Sequence, residues 1–238
     1  MKLIIEILRQ KDRTSEPYRQ TIAYEALPDD TVATLLNKLN AEPALTDTVG
    51  APVGTIHWQC SCLQKKCGAC AMRINGTPRL ACDTKLGELK KGRLCLEPLR
   101  KFPTVRDLIV DRSVMMDNLK AIGNWLEQPA VQTEKAAALC YDASRCLQCG
   151  CCLEVCPNFT ADGSFYGAAA FVPASKVLSQ LKKENRQNLP QNYRKNIYSG
   201  CGKSLSCQDI CPAGIDVEQK LVNSNAVAVW KRFFKASQ

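Results

Sequence analysis

The cysteines dominate the chemistry that this sequence can support, because 15 of them accompany a single histidine in 238 residues. Clustered cysteines in a reducing environment indicate metal ligands rather than disulfides. The N-terminal stretch MKLIIEILRQKDR has a short apolar run interrupted by Glu6 and no cleavage site for a secretory signal. No stretch reaches the roughly 18 apolar residues that span a bilayer. We therefore expect a cytosolic protein that binds metal.

The first cysteine group is CLQKKCGAC with one further cysteine downstream. Four and then two residues separate its cysteines, which is the plant-type spacing of a [2Fe-2S] cluster, so the predicted ligands are Cys62, Cys67, Cys70 and Cys82. Gly68 would let the backbone approach the cluster and donate N–H hydrogen bonds to it. A structural zinc site is the alternative, although four-cysteine zinc sites more often use two C-x2-C pairs.

The second group, CLQCGCCLEVCP, has the spacing of the bacterial ferredoxin run, with ligands predicted at Cys146, Cys149, Cys152 and Cys156. In two-cluster ferredoxins the fourth cysteine of such a run ligates the other cluster. A second run must therefore exist, and CGKSLSCQDICP is the candidate.

The third group lacks one cysteine of that run, because Ser204 occupies the middle position between Cys201 and Cys207. Exchange of the fourth cysteines predicts a [4Fe-4S] cluster held by Cys146, Cys149, Cys152 and Cys211. The other cluster then receives three thiolates, from Cys156, Cys201 and Cys207. This predicts a [3Fe-4S] cluster, and a [4Fe-4S] cluster with a serine oxygen ligand is the alternative.

The remaining candidate ligands are interpreted as structural or incidental. His57 is the only histidine, and the cysteine set is complete without it. Cys60 does not fit the first spacing, and Cys95 and Cys140 fit none. Cys151 lies within the second run and is expected to point away from the cluster. We expect all four cysteines to behave as small hydrophobic or incidental thiols.

The hydrophobic pattern of residues 1–102 predicts a β-grasp domain. Strands are predicted over KLIIEIL, YRQTIAYEA and GTIHWQ, and the helix DDTVATLLNKLN follows an aspartate cap. The segment AMRINGTPRLA is predicted to be a hairpin that turns at Asn75-Gly76. This hairpin would bring Cys82 almost opposite Cys70.

Residues 103–238 are predicted to be helical, which makes the fold class α+β. A helical pattern runs through VRDLIVDRSVMMDNLKAIGNWLE, and the Met115–Met116 pair and Trp125 are expected in the core. Shorter helices are predicted around TEKAAALCYDA, PASKVLSQLKKEN and DVEQKLVNSNAVAVWKRFF. The segment FTADGSFYGAAAF is predicted to be a glycine-rich loop. This second domain would carry the two-cluster motifs.

The order of these domains resembles the iron–sulfur subunit of the succinate dehydrogenase and fumarate reductase family. The resemblance covers nearly the whole chain and rests on CGACAMRINGTPRLAC, LEPLRKFPTVRDLIVD, CLQCGCCLEVCP and the final C-x5-C-x3-CP run. In that family a residue other than cysteine at the position of Ser204 accompanies a three-iron cluster.

The resemblance implies an electron-transfer subunit of a succinate:quinone or quinol:fumarate oxidoreductase, without a dicarboxylate site of its own. Electrons would pass between FAD in a flavoprotein subunit and a quinone beside a membrane-anchor subunit, which in some members binds haem b. The chain would lie on the cytoplasmic face of the cell membrane. The segments that contain Pro157, Gly202 and Lys203 would approach the quinone.

The sequence departs from many ubiquinone-using members of the family at two positions. Such members carry tryptophan shortly after the first Cys-Pro and histidine directly after the first cysteine of the last motif. This chain has Ala161 and Gly202 near those places. The departures favour menaquinone over ubiquinone.

Two other functions are considered, and nucleic-acid binding is not expected. The chain could serve a soluble flavoenzyme such as a thiol-dependent fumarate reductase, or act as a free-standing ferredoxin-like carrier. The first usually carries additional cysteine-rich segments, and the second is expected to be more acidic than this chain, whose net charge is +9. The basic residues form no Lys/Arg stripe with interleaved aromatic residues.

Overall fold

The computed structural model describes residues 1–89, 92–130, 133–180 and 188–230. The chain divides into two compact units, Met1–Asp111 and Arg112–Gln238. Within the described residues, no helix has the length and apolar character needed to cross a membrane.

The first unit contains a five-stranded mixed sheet of strand order β2-β1-β5-β3-β4. The central strands β1 and β5 are parallel, whereas the other neighbours are antiparallel. The elements are β1 (Lys2–Arg9), β2 (Tyr18–Glu25), α1 (Val32–Ala41), β3 (Ala71–Ile74), β4 (Thr77–Leu80) and β5 (Arg93–Glu97). Short 3-10 turns cover Ala81–Asp83 and Leu86–Glu88. This strand order is that of a β-grasp domain.

Alternation of side chains builds the core of this sheet. Leu3, Ile5 and Ile7 of β1 are at most 2% exposed, as the period of two predicts. The helix α1 buries Val32, Leu35, Leu36 and Leu39. Its N-cap is Thr31, whose hydroxyl accepts from the Thr34 N–H, so the predicted aspartate cap is wrong.

The predicted strand over residues 54–59 is also wrong, because these residues form no strand. Side chains instead satisfy the backbone of this segment. Asn40 accepts from the Ile56 N–H at 2.8 Å and donates to the Ile56 carbonyl at 2.9 Å. Asp107 accepts from the His57 N–H at 2.9 Å. These bonds take the place of a ladder between strands.

Residues 103–111 belong to the first unit and do not form the predicted helix. A two-stranded sheet, β6 (Thr104–Arg106) and β7 (Ile109–Val110), occupies the start of the predicted helical pattern. Asp107 in its turn has a left-handed φ of 45° and donates its N–H to the Gln10 carbonyl at 2.8 Å. These contacts with the first strand extend the unit to Asp111, beyond residue 102.

Arg9 and Asp107 form a buried ion pair in which Arg9 Nε lies 3.0 Å from Asp107 Oδ1. Arg9 also donates to the Val53 carbonyl at 3.0 Å and to the Thr55 carbonyl at 2.7 Å. Burial raises the pKa of Asp107, but hydrogen bonds from Arg9 and from backbone N–H groups outweigh it, so the pKa lies below its usual range. The pair therefore joins β1, the 53–57 segment and the β6–β7 turn.

The second unit is helical, as predicted. Its elements are α2 (Ser113–Ile122), α3 (Glu134–Ser144), α4 (Cys151–Glu154), α5 (Ala168–Gln180), α6 (Leu189–Tyr193), α7 (Ser206–Asp209) and α8 (Val217–Asn225). Turns of π-helix, Arg194–Tyr198 and Ala226–Trp230, continue α6 and α8. The core forms where α5 packs against α3 and α8. Predicted helical residues beyond 180 and beyond 230 lie outside the described residues.

Two details of the second unit differ from the prediction. The helix α5 begins at Ala168, so the end of the predicted loop is helical. The helix contains Pro173. Met116 and Trp125 are 54% and 55% exposed, so their assignment to the core is wrong. The buried face of α2 consists of Met115, Asn118 and Ile122, and Met116 lies beside that face. Trp125 lies beyond the helix, which ends at the left-handed Gly123.

Replacement of Arg9 should show the strength of the buried pair. Arg9→Met leaves the Asp107 carboxylate buried without its cation and should cost about 3 kcal/mol of unfolding free energy or more. The matched control is Arg13→Met, because Arg13 forms an exposed pair with Asp111 at 2.8 Å, and such a pair contributes about 0.5 kcal/mol. Urea unfolding at pH 7 compares the two variants.

The same pair predicts a pH dependence. The pKa of Asp107 is lower in the folded protein than in the unfolded chain. Its carboxylate therefore stabilises the fold fully above the unfolded pKa of about 3.9, and this stabilisation is lost as the pH falls through the folded pKa. The stability gap between wild type and Arg9→Met should therefore narrow in acid. A gap that stays constant between pH 7 and pH 3 would contradict this account.

Candidate iron–sulfur sites

Backbone N–H groups of the first cysteine loop point at cysteine sulfur atoms. The N–H groups of Gln64 and Lys66 donate to Cys62 Sγ at 3.4 and 3.3 Å. The Lys65 N–H donates to Cys82 Sγ at 3.3 Å. Hydrogen bonds of this kind favour thiolates, which are the form that ligates metal.

The loop achieves this with residues in the left-handed region. Leu63, Lys65 and Gly68 have φ values of 54°, 57° and 71°. Left-handed residues that alternate with ordinary ones turn successive N–H groups to one side and form a concavity that suits an anion. Residues other than glycine adopt this conformation at a cost in energy. Strain at Leu63 and Lys65 therefore accompanies the direction of the N–H groups toward sulfur.

The predicted hairpin places the last two ligand candidates together. Asn75 and Gly76 have φ values of 49° and 81°, as a type I′ turn requires. Ala81 donates its N–H to the carbonyl of Cys70 at 3.1 Å, and Cys82 follows directly in a 3-10 turn. The Cys82 thiol lies close enough to Cys70 to add to the rise that burial causes in the pKa of Cys70.

The thiols of this loop influence one another, Cys62 with Cys67 and Cys70 with both Cys82 and Cys67. Hydrogen bonds from the backbone of Gln64 and Lys66 lower the pKa of Cys62 to about 7. Burial raises the pKa of Cys70 to about 12. Four thiols with converging N–H groups fit a cluster of two irons, which needs four protein ligands.

Cys60 and His57 lie apart from this arrangement. Cys60 is exposed. His57 Nδ1 lies 3.0 Å from Asp107 Oδ2, so the histidine contacts the buried ion pair.

In the second unit, four of the predicted ligands line one pocket, namely Cys146, Cys149, Cys152 and Cys211. The structure thus brings the cysteine of the last Cys-Pro to the first three cysteines of the second group. Left-handed residues again shape the loop, because Gln148 and Gly150 have φ values of 49° and 87°. Burial raises the pKa of the Cys152 thiol, and the neighbouring thiols add to this effect. A metal cluster would relieve this repulsion between buried thiolates.

The three predicted ligands of the last cluster also come together. Burial, together with the nearby thiols of Cys156 and Cys201, raises the pKa of Cys207 to about 11. Ser204 lies between the first two cysteines of the last run and is exposed. Its hydroxyl accepts a hydrogen bond from the Ser206 hydroxyl at 3.3 Å. Residue 204 therefore presents a hydroxyl oxygen where the second cysteine group has a cysteine thiol.

Sequence analysis missed a side chain that contacts a cysteine ligand candidate. Cys151, expected to point away from the cluster, is fully buried beside Cys149. The Gln148 amide donates to Cys146 Sγ at 3.3 Å. Gln148 lies two residues after a predicted ligand, and the cysteine spacing takes no account of the residue at that position.

The other two unassigned cysteines lie away from the ligand groups. Cys140 is buried and accepts from the Gln180 amide at 3.0 Å. Cys95 lies on β5, beside Arg19 and Glu6. Within the described residues, no group of three His, Cys, Asp or Glu side chains is close enough to hold a single metal ion.

The Asn75-Gly76 turn provides a test of the first site. Gly76→Val places a β-branched residue at φ 81°, which costs about 1–2 kcal/mol. Opening of the hairpin would separate Cys70 from Cys82, so the variant should lose its two-iron EPR signal to a chelator about 5- to 30-fold faster. The control is Gly50→Val, which has a φ of 83° and nothing within 4 Å of its added Cβ. Equal rates in the two variants would contradict the role of this turn.

Two family models match the chain. A 2Fe-2S iron-sulfur cluster binding domain matches residues 4–117, and a 4Fe-4S dicluster domain matches residues 142–215. The chain therefore contains a 2Fe-2S domain followed by a 4Fe-4S dicluster domain. These matches confirm the predicted fold class and order of domains.

Curated relatives match over most of the chain. The succinate dehydrogenase iron-sulfur subunit of Bacillus subtilis (strain 168) is 32% identical over 92% of this chain and 89% of its own. The fumarate reductase iron-sulfur subunit of Mycobacterium tuberculosis (strain CDC 1551 / Oshkosh) is 32% identical over 68% of this chain and 70% of its own.

A solved structure shares the fold. A chain of the Mycobacterium smegmatis Sdh1 complex in the apo form is 20% identical, with a TM-score of 0.75 over 95% of both chains. At that identity the likeness supports the fold alone, whereas the B. subtilis relative extends the sequence similarity across both cysteine-bearing domains. The chain belongs to the family of succinate dehydrogenase and fumarate reductase iron–sulfur subunits.

Proposed function

We propose that this chain is the electron-transfer subunit of a succinate:quinone or quinol:fumarate oxidoreductase. The observation that carries the proposal is the gathering of cysteines into three groups within a chain that is similar to such subunits over 92% of its length. Electrons would pass between FAD in a flavoprotein subunit and a membrane quinone. Dicarboxylate chemistry would belong to the flavoprotein.

Cys62, Cys67, Cys70 and Cys82 would hold a [2Fe-2S] cluster, and Cys146, Cys149, Cys152 and Cys211 a [4Fe-4S] cluster. Iron–sulfur clusters, when bound, take up and release single electrons. The role of the protein is to hold the thiolates in place, to direct N–H groups at them and to limit the access of water. The converging N–H groups of the 62–68 loop support the first assignment, and the pocket lined by the second set supports the other.

Cys156, Cys201 and Cys207 would hold a [3Fe-4S] cluster. The support is chemical, because three thiols come together and the remaining position carries Ser204. An alcohol is much harder to deprotonate than a thiol and is a poor ligand for a cluster iron. Its hydroxyl is also already engaged with Ser206. Loss of one iron generally raises the reduction potential, which suits the last cluster before the quinone.

The quinone would bind beside this third group. Pro157, Gly202 and Lys203 are exposed, and Asn158 joins their two segments by donating to the Gly200 carbonyl at 2.6 Å. A Cβ on residue 202 would lie only 3.0 Å from the Asn158 amide nitrogen. A larger residue there would require the Asn158 side chain to shift. The glycine in place of histidine remains the basis for the preference for menaquinone over ubiquinone.

The proposed partners are an FAD-containing flavoprotein and a membrane-anchor subunit, which binds haem b in some members of the family. The chain would lie on the cytoplasmic face of the cell membrane through the anchor. We expect detergent extracts to yield a complex that contains covalently or tightly bound flavin and a membrane subunit with this chain. Recovery of the chain with soluble partners alone would favour a soluble flavoenzyme. Recovery of the chain by itself would favour a free-standing carrier.

Replacement of Ser204 tests the three-iron assignment. Ser204→Cys restores the ferredoxin spacing and should convert the cluster to a [4Fe-4S] form. Potentiometric EPR of the purified complex should then lose the near-isotropic signal of the oxidised state and gain a four-iron signal at lower potential.

The matched control is Ser206→Cys, which adds a thiol in the same loop at a position outside the ligand spacing. This variant should keep the oxidised signal. If wild type itself lacks that signal and shows a second four-iron signal on reduction, the three-iron assignment is wrong and Ser204 acts as a ligand.

A further inference from the structure

The side-chain amide of Gln148 donates one hydrogen bond to the second cysteine group and one to helix α5. Nε2 lies 3.3 Å from Cys146 Sγ and 3.0 Å from the Ala169 carbonyl oxygen.

Pro173 explains why the Ala169 carbonyl is available to Gln148. In an α-helix this carbonyl would accept from the N–H of residue 173, four positions later, and proline has no N–H. The Gln148 amide occupies the place of that donor. The proline in α5 thus creates an acceptor that faces the cysteine loop.

This acceptor also determines the orientation of the amide. A flipped amide would place its oxygen 3.0 Å from the Ala169 oxygen, where two acceptors oppose each other. The NH2 group must therefore face Ala169, and its second N–H is directed at Cys146 Sγ. The donor to the sulfur is fixed by the fold.

Two features of Gln148 are energetically unfavourable. Its φ is 49°, a conformation that favours glycine. Its Oε1 atom is buried and has no hydrogen-bond partner among the residues that the structure describes. An unpaired buried acceptor is unfavourable, and an apolar side chain or glycine would remove it. The retained amide is consistent with a role for its N–H groups.

We propose that the Gln148 amide raises the reduction potential of the four-iron cluster by donating a hydrogen bond to Cys146 Sγ. The inference rests on the proposed assignment of Cys146 as a ligand of that cluster. Reduction adds negative charge to a cluster and its thiolates, and the positive end of an N–H dipole stabilises the reduced form more than the oxidised form. Gln148 is thus a residue that adjusts the potential without ligating iron.

The first cysteine loop contains a matched control. Gln64 follows Cys62 by two residues, as Gln148 follows Cys146, and its backbone N–H donates to the preceding cysteine. Its side chain is exposed and, within the described part of the chain, makes no hydrogen bond to a cysteine. The two glutamines share their position relative to a predicted cysteine ligand and differ in the side-chain bond to that cysteine.

The experiment is a potentiometric EPR titration of the purified complex with Gln148→Met and, separately, Gln64→Met. Methionine keeps the length of glutamine and removes its N–H donors. Gln148→Met should shift the four-iron midpoint to a more negative potential and leave the two-iron midpoint unchanged. Gln64→Met should leave both midpoints unchanged.

A second variant covers the case in which Gln148→Met does not assemble the cluster. Gln148→Glu preserves the shape of the side chain, removes the NH2 donor and adds a negative charge, so its shift should be negative and larger. An assembled four-iron cluster at the wild-type midpoint in either variant would overturn the proposal. Loss of the four-iron signal in both variants would also overturn it, because the residue would then act in assembly.

The titration separates failure of this inference from failure of the proposed function. A wild-type complex without a four-iron signal would show that the assignment of Cys146 is wrong. A wild-type four-iron signal with an unshifted variant would leave that assignment standing and reject only the role of the Gln148 amide.

Discussion

The energetic cost of burying cysteine thiolates close together is the constraint on which this chain depends. Each predicted site gathers three or four cysteines, and burial alone raises the pKa of thiols such as Cys70 and Cys207. The loops oppose this cost with N–H groups that point at sulfur, as at Cys62 and Cys146. Left-handed residues, including Lys65 and others that are not glycine, make this possible at the cost of local strain.

The sequence predicts the structural features that depend on residues close together along the chain. Cysteine spacing predicted three groups that the structure brings together, and Asn75-Gly76 predicted a hairpin that the structure contains. Alternation in β1 and the stripe of α1 predicted their buried faces. In each case neighbours within a few residues determine the result, so pattern and propensity suffice.

The errors arise where distant side chains decide the backbone conformation. Residues 54–59 have a strand-like pattern, but Arg9, Asn40 and Asp107 form hydrogen bonds with the backbone of Thr55, Ile56 and His57. The contact of Gln148 with Cys146 depends on a carbonyl freed by Pro173, 25 positions further along the chain. No local pattern contains such information, because the partner is chosen by tertiary structure.

The parallel pairing of β1 with β5 and the Arg9–Asp107 pair also constrain the order of events during synthesis. These contacts join residues up to 98 positions apart, so the first unit cannot close until Asp107 has left the ribosome. The cysteines between residues 60 and 82 are made earlier and remain on an unfolded chain during that interval. The cysteine loop of the first unit therefore reaches its folded geometry only after β5 and the β6–β7 turn have been made.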